Sequence, residues 1–216
     1  MIIHYCIAIY GLEKFLKIYE NALDYFEYNT GFHLVYNPEK DNVWKKIQEL
    51  KSIFKYKLDY IKSRNVLLYI YENLLLNNYP DIIKKIHLGR DQIKEMIEMG
   101  HSIGVHTHTH ISVSATSLNK DEFYNEMIFP KKYLESEFNT PVNAISYPFG
   151  EKKDCLSSIK LLNSTNEYKL AFTVEEIVNF QNTSPLEIGR YQPKGNETVD
   201  TLSNILSNII EKSNSL

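Results

Sequence analysis

The chain has 216 residues, 43% of them hydrophobic and 24% charged, the composition of an ordinary globular protein able to bury a core. Its formal net charge is -3 and its lysines and arginines stand singly or in pairs, which excludes the basic block of a nucleic-acid binder and favours a sugar or another uncharged molecule as partner. No run approaches the roughly 18 to 20 apolar residues of a membrane span. The start lacks a basic region and a cleavage site, and Cys6 and Cys155 are too few for a disulfide framework, so a reduced, cytoplasmic protein is expected.

Residues 2–10 are a short apolar run closed by Gly11 and read as a buried strand followed by a turn. Phe15, Ile18, Ala22, Tyr25 and Phe26 keep helical spacing, with Asn29, Thr30 and Gly31 as the stop. A second strand is expected over 32–36, closed by Asn37 and Pro38. Val43, Ile47, Leu50, Phe54, Leu58 and Ile61 predict a helix over 43–61, and another runs through 66–76. Ile93, Met96 and Ile97 share one face of a helix over 91–99, stopped by Gly100; a strand over 102–105 then delivers His106 at its carboxyl end. Asn119 with Glu122 is a capping pair for a helix reaching Phe138, kinked at Pro130. Strands follow over 142–147 and 168–174 around a helix over 154–163, and Val199, Leu202, Leu206 and Ile209 line a closing helix over 197–210. Strands alternating with helices predict one α/β domain over 1–216, with a largely parallel sheet or barrel. Oligomeric state is not readable from this pattern.

The stretch 101–110 holds four of the seven histidines. His106 and His110 are four residues apart, and where a strand end passes into a helical turn this spacing puts two imidazoles on one side, as a divalent metal requires. His108 is expected to point elsewhere, and His101 to make a structural hydrogen bond to backbone. Thr107 and Thr109 are placed to orient the rings by local hydrogen bonds. Two imidazoles with one carboxylate suit zinc, with cobalt or nickel as alternatives. Tyr147, Pro148, Phe149 and Gly150 form a proline-aromatic-glycine turn after a strand; it is either an ordinary turn or a backbone amide aimed into a site as an oxyanion donor.

Together these segments resemble the polysaccharide deacetylase family, the NodB-like carbohydrate esterases. The run from Gln92 to His110 looks like the family's helix-Gly-His-x-Ile-Gly-x-His-Thr-x-x-His block, and Lys131 to Glu135, Ile145 to Gly150 and Tyr168 to Val174 follow in the family's order. The resemblance implies a distorted or incomplete (β/α) barrel and hydrolysis of N- or O-acetyl groups on a sugar or polysaccharide. It also implies one divalent metal held by His106 and His110, and oxyanion stabilisation by the turn Tyr147, Pro148, Phe149, Gly150.

The family's first motif, an aspartate pair, is not found: Tyr10, Gly11, Leu12 and Glu13 stand there, leaving Glu13 as the stand-in ligand and a leucine where a base is needed. Ser146 occupies the place of a frequent arginine, and no histidine follows His110 to act as general acid. Losing a general base costs on the order of 100- to 10,000-fold in rate. Two readings follow: a hydrolase of non-peptide carbon-nitrogen bonds, and a catalytically degenerate relative that binds glycan or metal without turnover.

Overall fold

The computed structural model describes every residue except Met1, Ser117, Lys194, Ser215 and Leu216, with side chains in the last helix as far as Glu211. The residues pack as two compact units, Met1–Met96 and Ile97–Leu216. No helix among the described residues is long and apolar enough to cross a membrane.

The first unit is helical. Helix α1 (Ile2–Tyr25) is bent at Gly11, whose φ of 80° and ψ of 162° interrupt the helical backbone. Gly11 therefore punctuates the chain as expected, but residues 2–10 before it are helical and not a strand. A short apolar run carries no alternation that could separate the two states. The burial does: Cys6 is buried and Ile2, Ile3, Ile7 and Tyr10 pack against the core, at helical spacing, while His4, Tyr5, Ala8 and Ile9 face out.

Helix α2 (Val43–Ser52) is capped by Asn42, whose side-chain oxygen accepts from the Lys45 N–H at 3.0 Å, and continues as a π-helical turn over Ile53–Lys57. The helix expected over 43–61 breaks at extended Leu58, because Asp59 caps a new helix, α3 (Tyr60–Ile70), by accepting from the Lys62 N–H at 2.8 Å. A π-helical turn (Tyr71–Leu76) and α4 (Ile82–Ile86) follow. Phe15, Tyr19 and Leu23 of α1 share one core with Leu50, Val66, Ile70 and Leu75. Residues 32–36 alternate in exposure with period two, yet they enter no strand ladder among the described residues.

Helix α5 (Arg90–Glu98) ends at Gly100, whose N–H donates to the Ile97 carbonyl at 2.9 Å. In the second unit a parallel ladder runs through four segments in chain order. Val105 bridges Ile145, β1 (Ala144–Ser146) pairs with β2 (Leu170–Phe172), and Phe172 bridges Ile188. The paired stretches are shorter than the strands expected over 102–105, 142–147 and 168–174, and no closed barrel is seen among the described residues.

Between Val105 and β1 the chain forms α6 (Lys120–Phe123), a π-helical turn (Tyr124–Ile128) and α7 (Phe129–Phe138). Asn119 and Glu122 make the reciprocal capping box that the sequence predicts. Pro130 lies in the first turn of α7, directly after the π turn in a helix that runs on through it, and the Glu126 carbonyl four residues earlier accepts from the His108 N–H. Helix α8 (Lys152–Thr165) connects β1 to β2, and α9 (Val199–Asn214) closes the chain. Val105, Ile145, Tyr147, Ala171, Met127, Ile159 and Leu162 are in the core of this unit.

Lys131 is buried in that unit; its Nζ donates to Glu135 Oε1 at 2.5 Å and to the Val142 carbonyl at 2.9 Å, while the Val142 N–H donates to Glu135 at 3.0 Å. The hydrogen bonds from Lys131 and from the Val142 N–H hold the Glu135 carboxyl below its usual range. A depressed carboxyl contributes stability above its unfolded pKa of about 4.3 and loses it as the pH falls through the folded value. Glu135→Gln is expected to lower stability at pH 7 by roughly 1 to 2 kcal/mol and to make the loss of stability below about pH 4 shallower, as read by urea unfolding across pH.

Candidate functional site

The parallel ladder aligns the carboxyl ends of its segments, so the residues that follow Val105, β1 and β2 emerge at one edge of the sheet. Val105 donates to the Ala144 carbonyl at 3.0 Å and Ser146 donates back to the Val105 carbonyl at 2.9 Å. His106 is the next residue after that register. Its Nδ1 lies 2.7 Å from the Ser146 carbonyl oxygen. A carbonyl can only accept, so Nδ1 carries the proton and the lone pair resides on Nε2. The orientation of the imidazole is thereby held by backbone.

The chain then reverses through two left-handed residues, Thr107 (φ 56°) and His110 (φ 61°). The His110 ring packs edge-on to His106, with centroids 4.9 Å apart, and also meets Phe149 at 5.0 Å. Both imidazoles are exposed. The structure thus brings His106, His110 and Phe149 together. His108 turns away, its ring against Phe129 at 6.0 Å, and His101 is exposed. Thr107 Oγ1 is buried without a partner among the described residues, and Thr109 Oγ1 donates to the Glu126 carboxylate.

Phe149 is itself left-handed (φ 64°), and Gly150 follows at φ 72°. Gly150 donates to the Pro148 carbonyl at 2.7 Å and accepts from the Val174 N–H at 2.9 Å, tying the turn to the end of β2. Tyr147 is not at the surface of this site: it is 1% exposed, its hydroxyl donates to the Leu186 carbonyl at 3.0 Å, and burial pushes its phenol up. Pro148 is buried beside it. Glu13 lies on α1 of the first unit at an exposed position, and its neighbour Leu12 is buried in that unit's core. Two neighbouring imidazoles fit a divalent ion, although no group of three His, Cys, Asp or Glu side chains forms among the described residues.

The model of the family described as polysaccharide deacetylase matches residues 60–170, just over half of the chain and inclusive of His106, His110 and the turn 147–150. The chain belongs to the polysaccharide deacetylase family. Over 91 residues, 42% of its length, it is 32% identical to the Bacillus subtilis (strain 168) protein named "Putative polysaccharide deacetylase YxkH", of which it spans 31%. Among solved structures it is similar to the Streptococcus pyogenes deacetylase PplD in complex with acetate, at 26% identity and a TM-score of 0.45, covering 56% of this chain and 51% of that one. It is also similar to BC0361, a polysaccharide deacetylase from Bacillus cereus, at 25% identity and a TM-score of 0.44, covering 55% of this chain and 36% of the other. The chain thus spans about half the length, or less, of these relatives.

Two buried acids of this polysaccharide deacetylase relative support the site and were not singled out by the sequence reading. Glu126 is 0% exposed; its carboxyl accepts from the Thr109 N–H at 2.8 Å and from Thr109 Oγ1 at 2.7 Å, and its carbonyl accepts from the His108 N–H at 3.0 Å. Asp154, 1% exposed, accepts from Ser112 Oγ at 2.7 Å and anchors the far end of the same loop. A sequence signal did exist for Glu126: it sits three residues after Phe123, on the face that the helix buries.

A Cβ on Gly150 would stand 2.8 Å from Val174 Cγ1 and 3.0 Å from the Val174 nitrogen, in a left-handed backbone. Gly150→Ala is expected to destabilise the protein by about 1 to 3 kcal/mol, measured by urea unfolding; an unchanged midpoint would show that the turn can relax.

Proposed function

We propose that this chain is a metal-dependent carbohydrate deacetylase, hydrolysing the acetyl group of an N- or O-acetylated sugar or polysaccharide. The observation that carries the reading is the His106 to Ser146 hydrogen bond, which leaves the lone pair on Nε2 of an imidazole that packs against His110. The family generally uses a divalent metal, and His106 and His110 are the residues that would hold it, with zinc the best match to two imidazoles and cobalt or nickel as substitutes. When bound, such an ion supplies Lewis-acid polarisation of an acyl oxygen.

The remaining roles belong to the chain's own groups. Phe149 forms one wall beside His110, and its backbone amide in the turn 147–150 is the candidate oxyanion donor, with Gly150 and Val174 holding that turn in place. The exposed imidazoles at the strand ends suit an acetylated polymer approaching from solvent. Glu13 is the candidate carboxylate. The four parallel segments in chain order, the first three of them joined by helices, support a barrel-type (β/α) arrangement of the kind the family resemblance implies. A second reading, binding without turnover, is favoured by Leu12, an apolar core residue where a proton acceptor is needed.

Acetate release from a panel of acetylated chitooligosaccharides by the zinc-loaded protein distinguishes the two. Release lost by at least 100-fold in both His106→Ala and His110→Ala supports the deacetylase. Stoichiometric zinc binding and glycan binding without acetate from any member of the panel would support the non-catalytic reading instead.

A further inference from the structure

Of the two buried acids that hold the histidine loop, Glu126 bonds the residues between its left-handed positions. Residues 107–110 include two left-handed positions, Thr107 and His110, neither of which is glycine. A backbone of that kind persists only where its surroundings over-determine it. Glu126 provides three hydrogen bonds to the two residues between them: its carbonyl to the His108 N–H, Oε2 to the Thr109 N–H and Oε1 to the Thr109 hydroxyl. The last two fix Thr109, the residue directly before His110. An acid with no exposed surface, placed where the helix buries Met127 and Ile128, would be replaced at little cost by an apolar residue if core packing were its purpose.

We propose that Glu126 is the positioning residue of the histidine pair: its buried carboxyl clamps Thr109 so that the His110 imidazole meets that of His106, and the cation affinity of the pair depends on it. The inference rests on the metal-pair reading above.

The test is titration of the full chain with cobalt(II) chloride, followed by visible absorption and calorimetry, with folding of each variant checked by circular dichroism. Glu126→Leu fills the site without accepting a hydrogen bond and is expected to weaken cobalt binding about 10- to 100-fold and to shift the cobalt absorption band. Glu126→Gln is expected to stay within about threefold of the parent, because its amide oxygen can accept from the Thr109 N–H while its NH2 donates to Thr109 Oγ1. Thr109→Val removes only the hydroxyl contact and is expected to cost about tenfold. Folded Glu126→Leu and Thr109→Val proteins with parental affinity and spectrum would overturn the proposal while leaving the metal pair standing. If Glu126→Leu does not fold, Thr109→Val decides alone. A parent chain that binds no cobalt would overturn the metal pair, and the clamp with it.

Discussion

The register between Val105 and β1 is the constraint on which the second unit depends. Two hydrogen bonds, Val105 to Ala144 and Ser146 to Val105, join segments about forty residues apart in sequence. They place the end of one segment beside the end of the next. A slip of one residue would turn every side chain to the opposite face and withdraw the Ser146 carbonyl from the His106 ring. The same register brings Phe149, three residues past β1, against His110. The geometry of the imidazole pair is therefore a product of backbone pairing first and of side-chain contacts second.

How much of this was legible in the sequence depended on whether the signal was local. The capping box at Asn119, the stop at Gly100 and the break at Gly11 rest on hydrogen bonds or backbone angles within a few residues, and each is found in the structure. His106 and His110 were legible as a pair because their spacing and their position after a strand suffice. Residues 2–10 were misread because an apolar run of that length fits a strand and a helix equally, and only the core it packs against separates them. Tyr147 was grouped with the site by adjacency, yet its side chain alternates inward from the strand and finds Leu186, a partner thirty-nine residues away. Glu126 escaped notice for the same reason, since its partner Thr109 precedes it by seventeen residues.

Polar burial and backbone strain lie together in this unit. Thr107, His110 and Phe149 are non-glycine residues in the left-handed region, and all three line or adjoin the histidine pair. Such residues cost of order 1 kcal/mol or more each, so the surrounding contacts must hold them. Glu126 and Asp154 grip the loop from two different helical segments, and the Gly150 to Val174 bond grips the turn. The exposed chemistry sits on a buried polar foundation.

The π-helical turn over Tyr124–Ile128 gives that foundation its room. Successive residues of an ordinary helix are about 100° apart, so three consecutive buried positions, Glu126, Met127 and Ile128, need an unusually wide inward face. A π turn accommodates one residue more than the α-helical path would, widening the helix where the acid must enter the core. Deleting one residue in this turn would rotate everything before it by about a quarter-turn relative to α7. Lineages of this fold that keep the histidine loop should therefore tolerate length changes in the flanking loops and resist them in these five residues.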